Sequence, residues 1–185
     1  MERHICPWWL GYALASPLRR LWLQPIEILR PFVAAGATVL EPGCGMGFFT
    51  LDLARLVGPD GRVVAIDIQP RMLASLARRA RRAGLAARIE ARLARPDSLG
   101  AEDLDGRVGF ALAFAMVHEL PDAGRFFREL HRALEPSGTV LLAEPKGHVT
   151  HPAFADTLAL ARAADLLDEA GPALRSSWTA LLRRA

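Results

Sequence analysis

The chain has 185 residues, 51% of them hydrophobic and 23% charged. That is one domain's worth of sequence with enough apolar side chain to build a core, which excludes a disordered or fibrous class. The formal net charge of +3 gives little support to a polyanionic partner, and no apolar run approaches the roughly 20 residues of a membrane span.

The basic residues are arginines apart from a single lysine, Lys146. Their densest run, "ARRARRAG" (77–84), is periodic with leucines and reads first as a solvated helix face, and second as a weak anion-binding patch. Cys6 and Cys44 show no paired spacing, so no disulfide framework is expected and a reducing cytoplasm fits. The N-terminal stretch "MERHICPWWLGYALA" carries Glu2 and lacks a basic n-region, so it does not read as a signal peptide.

Residues 1–35 hold Trp8, Trp9 and Trp22 in an apolar, proline-broken segment. From 36 onward β-like and helix-like runs alternate. "ATVLE" (37–41) reads as a buried strand and "GFFTLDLARLVG" (47–58) as a helix stopped by Gly58 and Pro59. "RVVAIDI" (62–68) is the second strand. Pro70 then opens a helix whose apolar face carries Met72, Leu73 and Leu76, and Gly84 closes it. "ARIEARL" (87–93) alternates as a third strand, and "VGFALAF" (108–114) is continuous, as for a strand covered on both faces. Asp122 is placed to cap the helix 123–134; "PSG" predicts a turn, and "TVLLAEP" (139–145) the fifth strand. Residues 152–170 are expected to be helical, and "LRSSWTALLRRA" to be a last strand. Strand–helix repetition implies an α/β fold with a Rossmann-like, doubly wound, mostly parallel sheet.

The first strand runs into "EPGCGMGFFT", with glycines at 43, 45 and 47. A phosphate-binding P-loop is excluded, because the loop ends in Gly47-Phe48-Phe49 rather than Gly-Lys-Ser/Thr. A dinucleotide fingerprint fails too: Phe48 or Thr50 stands where the third glycine belongs. Glu41 at the loop's entry disfavours a pyrophosphate and suits a ligand with a cationic portion. Asp67 ends the second strand, where a carboxylate reaches ribose hydroxyls. A ligand with a ribose and a cation but no phosphate is required, and S-adenosylmethionine fits.

"VLEPGCGMG", "VVAIDIQPRML", "FALAFAMVHELPD" and "ALEPSGTVLLAEP", in that order, resemble the class I S-adenosylmethionine-dependent methyltransferases. The closest flavour is the small-molecule branch that includes quinone-biosynthesis C-methyltransferases. The resemblance covers about residues 25–150. It implies that Glu41 and the backbone at Gly43, Cys44 and Gly45 hold the methionine end, that Gly47 belongs to the same cofactor-binding loop, and that Asp67 binds the ribose. Ile68 and Met72 would flank the adenine, while Phe114 and Ala115 would line the methyl side. Where family members often carry Gly-Asp-Ala after the third strand, this chain has "EARLARPDSLG", so Asp97 or Ser98 is the substitute expected at the adenine amine. The family's antiparallel sixth strand is expected to be reduced or missing.

Chemistry is expected at the carboxyl ends of strands four and five. His118 is the first candidate base or acceptor contact, with Glu144 facing the substrate and Lys146 as a cation for an anionic acceptor. The N-terminal segment, set apart from the domain at 36–185, is expected to form a helical lid over a largely apolar acceptor site. Weak interfacial membrane contact through residues 5–23 is the other reading of its tryptophans and arginines. His4, Cys6, His118 and His148 lack metal-ligand spacing, so no metal is expected, though Cys6 leaves a thiol or metalloid acceptor open. The expected partner is a small-molecule acceptor. Nucleic acid is not expected, because "FAMVHELP" stands where an "NPPY"-type motif would be. An NAD-dependent oxidoreductase and a cofactor-binding regulatory module without turnover are the competing functions.

Overall fold

The structure is a computed structural model that describes residues 11, 16, 18, 23–95 and 98–185. Its elements run α1 (Pro25–Leu29), β1 (Thr38–Pro42), α2 (Thr50–Leu56), β2 (Arg62–Asp67), α3 (Pro70–Arg82), β3 (Ile89–Leu93), β4 (Val108–Phe114), α4 (Ala123–Ala133), β5 (Leu134–Pro145), α5 (His151–Arg162), β6 (Leu166–Ala170) and β7 (Ser177–Arg184). They build one seven-stranded sheet in the order β3-β2-β1-β4-β5-β7-β6. Strands β1 to β5 are mutually parallel, and β7 runs antiparallel to both β5 and β6. The strand order reverses between β1 and β4, which run parallel, so a crevice opens where the flanking connections leave on opposite faces.

Alternation along the strands sends side chains to two cores. Leu40, Ile66, Ala113 and Leu142 meet Phe127 and Leu130 of α4 and Phe154 of α5 on one face. Val39, Ala65, Phe110 and Leu112 meet Leu29 of α1, Leu53 of α2 and Leu76 of α3 on the other. Burial on both faces explains why β1, β2 and β4 read as unbroken apolar runs.

Several expected boundaries move. The helix expected from residue 47 begins at Thr50, because Gly43, Gly45 and Gly47 all have positive φ (70°, 54° and 81°), which no helix accommodates. The expected helix 152–170 stops at Arg162. Asp165, at φ 58°, turns the chain, and Leu166–Ala170 becomes an edge strand. Of the two expectations for the sixth strand, reduced or missing, the structure shows a five-residue strand. The "PSG" turn is an irregularity inside β5 rather than a reversal: Val108 pairs with Leu134 and Phe110 with Thr139. A Cβ on Gly138 would lie 2.7 Å from the Val108 carbonyl, so glycine is what lets the two strands close there.

In the segment expected as a lid, the described stretch from residue 25 onward packs into the core. Leu29 and Val33 sit in the core, and Phe32 stacks on Phe110 at 5.9 Å. Residues 1–10, 12–15, 17 and 19–22, with Cys6 and the tryptophans Trp8, Trp9 and Trp22, lie outside the described residues. No helix among the described residues is long and apolar enough to cross a membrane.

Candidate functional site

A cavity of about 730 Å³ opens at the carboxyl ends of β1, β2 and β4, a size ordinary for small-molecule sites. Glu41, Gly43, Cys44, Gly45, Asp67, Ile68, Met72, Ser98, Phe114 and Ala115, all singled out from the sequence, line it together. Asp97 lies outside the described residues.

The loop after β1 is tied to β2 by its own backbone. The Cys44 N–H donates to the Ile66 carbonyl (3.1 Å) and the Gly45 N–H to Asp67 Oδ2 (2.9 Å). The other Asp67 oxygen accepts the Gln69 N–H at 2.8 Å. Burial raises the Asp67 carboxyl, and the backbone N–H groups it accepts oppose that rise. Two amides that a pyrophosphate would need are therefore already engaged, a structural argument against a phosphate ligand that complements the sequence one. On the far side of the loop the Arg79 guanidinium of α3 donates to the Met46 carbonyl.

Glu41 is 4% exposed, and its Oε2 has no hydrogen-bond partner among the described residues. Burial pushes its carboxyl up to about 8, with the Asp67 and Asp52 charges adding and the Thr50 hydroxyl opposing. Burial likewise holds the Cys44 thiol well above its ordinary range. Gly45 faces open space where a Cβ would stand, so a ligand can approach its backbone closely. Gly47 has a different task. It does not line the cavity, and a Cβ there would lie 2.4 Å from Leu76 Cδ1, so the glycine permits the loop to seat on α3.

Ile68 is 36% exposed and Met72 is buried, an apolar clamp on one wall. Opposite stand Phe114, its ring 4.5 Å from that of Phe49, and Ala115. Ala115 is one of two described non-glycine residues at positive φ (55°), and it sits where β4 ends at the cavity. Strained backbone of this kind is typical of ligand sites. Ser98 lines the cavity while its hydroxyl donates to Glu102 (2.9 Å) and accepts the Gly100 N–H (3.0 Å).

The cavity runs further than the sequence reading reached, past Leu99 to Leu120, Arg125 and Glu129. Asp122 caps α4 by accepting the Arg125 N–H (2.8 Å), which fixes the helix start. From the same helix Glu129 accepts the Leu99 N–H at 2.7 Å. The "LPDAGRFF" cap signal was the sequence clue to this wall.

His118, Glu144 and Lys146 do not line the cavity. His118 sits on a single turn of 3₁₀ helix, Val117–Glu119, after β4. Its Nδ1 bonds to Glu144 Oε2, and Glu144 Oε1 accepts the Val117 N–H at 2.9 Å. Glu144 is 1% exposed, and its bond raises the His118 imidazole above its ordinary value against the opposing effect of burial. His118 Nε2 lies 3.9 Å from Glu119, which does line the cavity. The Lys146 ammonium is 4.7 Å from the Trp178 ring centre and donates to the Arg175 carbonyl at 3.3 Å, pointing into the β5–β7 corner. Among the described residues no three potential metal ligands cluster.

The methyltransferase-domain family matches residues 39–138, from β1 through the bulge of β5. The chain is 34% identical over 112 residues to an arsenite methyltransferase of Halobacterium salinarum, covering 60% of this chain and 28% of that protein. It is 33% identical over 131 residues to a ubiquinone/menaquinone biosynthesis C-methyltransferase of Hahella chejuensis, covering 71% of this chain and 51% of that protein. The chain thus spans between about a quarter and a half of these relatives' length. In fold it is similar to a SAM-dependent methyltransferase from Aquifex aeolicus, with a TM-score of 0.85 at 22% identity, over 96% of this chain and 98% of that one. The seven-stranded sheet, the glycine loop closed onto Asp67 and a family match over more than half its length agree: the chain belongs to the methyltransferase-domain family, of the class I, S-adenosylmethionine-dependent type.

Proposed function

We propose that the protein transfers a methyl group from S-adenosylmethionine to a small, partly apolar acceptor. The observation that carries this reading is the orphaned, buried Glu41 oxygen on the wall of the same cavity that Asp67 borders. A buried carboxyl oxygen without a hydrogen-bond partner suits a ligand with an ammonium, and the open space at Gly45 suits close approach of that ligand to the loop. In this reading Glu41 and the backbone at Gly43, Cys44 and Gly45 hold the amino-acid end. Asp67 takes the ribose hydroxyls, and Ile68 and Met72 cover the adenine. Gly47 supports the loop from behind rather than touching the ligand.

Bound S-adenosylmethionine supplies an activated methyl carbon on a sulfonium, so the chain's own residues are left with positioning and exclusion of water. Phe49, Phe114 and Met116 form the apolar wall suited to the acceptor. His118, oriented by Glu144, is the group proposed to hold a proton at Nε2 if the acceptor must lose one, with Glu119 between it and the cavity. Residues 1–22 are proposed as the cover. Gly11, the described member of that segment at the cavity, lies against Met72 and Met46. A thiol or metalloid acceptor would depend on Cys6, since Cys44 is buried with its thiol held protonated.

Incubation of the protein with methyl-labelled cofactor and host extract, followed by mass spectrometry, is expected to yield at least one labelled small molecule of apolar character. Binding of the cofactor with no labelled product in any fraction would favour a regulatory module instead.

A further inference from the structure

Glu41 stands in acidic surroundings. Its Oε2 is buried without a hydrogen-bond partner among the described residues, and Asp67 of β2, which lines the same cavity, already accepts the Gly45 and Gln69 N–H groups. From α2 come Asp52, fully buried and paired to Arg55 at 2.7 Å, and the Thr50 hydroxyl. From the loop comes the Cys44 thiol. The ion pairs found among the described residues give Glu41 no cation. An ionised Glu41 would therefore be a buried, unpaired charge beside two other acids, which strongly favours the protonated form until a cation arrives.

We propose that Glu41 exchanges its proton for the cationic end of the ligand, so that the free site holds a neutral carboxyl and the loaded site a carboxylate paired with an ammonium. This rests on the reading of the cavity as an S-adenosylmethionine site. The exchange balances simply: the carboxyl O–H is lost, its proton passes to solvent, and the ligand's ammonium takes its place without change to any bond of the ligand. Ionisation is driven only by a cation, so Glu41 sets specificity: a neutral nucleoside of the same shape gains nothing from it. The elevated carboxyl, at about 8, puts the exchange inside the neutral range.

The test is calorimetric titration of the intact protein at neutral pH in two buffers of different ionisation enthalpy. S-adenosylhomocysteine is one ligand, and 5′-methylthioadenosine, which has the nucleoside but no ammonium, is the other. About one proton released per S-adenosylhomocysteine is expected and none per methylthioadenosine. Affinity for the former should rise by up to about tenfold per pH unit between pH 6 and 8. Binding of S-adenosylhomocysteine without proton release, or equal release with both ligands, overturns the exchange while leaving the cofactor reading intact. Failure of both ligands to bind overturns both.

A second measurement needs no ligand. A raised carboxyl contributes stability that is fully present below its unfolded value and is lost as pH rises through its folded value. The wild-type melting temperature is therefore expected to fall between pH 5 and 9 more steeply than that of Glu41→Gln. Parallel profiles would contradict a protonated Glu41 in the free protein.

Discussion

Asp67→Ala is expected to weaken S-adenosylhomocysteine binding about 100-fold while the protein stays folded. Asp67 is asked to do two things at once: its oxygens hold the Gly45 and Gln69 N–H groups, and it borders the cavity where the ribose is proposed to lie. Hydrogen bonds to charged groups contribute about 1.5–3 kcal/mol each, and 1.4 kcal/mol is tenfold in affinity. Asp67→Asn keeps one acceptor oxygen, so its loss should be nearer tenfold. The check is calorimetry on both variants beside a chemical denaturation curve. Unchanged affinity in Asp67→Ala would remove the ribose assignment.

The second large effect is on stability. Glu144→Ala should cost about 3 kcal/mol, because it strands the buried Val117 N–H and removes the partner of His118. Glu144→Gln keeps the shape and an acceptor for Val117 but removes the charge, which gives the loss a pH signature. The His118 imidazole is raised by its bond to Glu144. Its contribution is thus fully present below the unfolded imidazole value, about 6.5, and is lost as pH rises through the higher folded value. The cost of Glu144→Gln is therefore expected to be larger at pH 6 than at pH 9, as read by urea denaturation at both. A cost independent of pH would mean that the pair is not ionic in the folded protein.

The cofactor end of the site was legible because it is local. Glu41, the glycines and Asp67 lie on two adjacent strands and the loop between β1 and α2, and parallel pairing of Glu41 with Ala65 brings Asp67 to the loop automatically. Glycine as a residue type was legible; its purpose was not, since Gly47 answers to Leu76, a side chain from α3. The distal wall at Leu120, Arg125 and Glu129 depends on how α4 meets Leu99, a tertiary fact with only the Asp122 cap as a local sign. His118 and Glu144 were each singled out, but their union is 26 residues long-range and follows from β4 lying beside β5. The sixth strand was obscured because "LLDEA" carries little β-forming character and follows a helix without proline or glycine; a positive φ at Asp165 makes the turn instead.

The claim that most else rests on is that this cavity receives S-adenosylmethionine rather than a phosphate-bearing dinucleotide. Titration of the wild-type protein with S-adenosylhomocysteine and, separately, with NAD tests it most directly. One-to-one binding of S-adenosylhomocysteine with no heat above dilution from NAD is the predicted result. Saturable NAD binding with none from S-adenosylhomocysteine would contradict it.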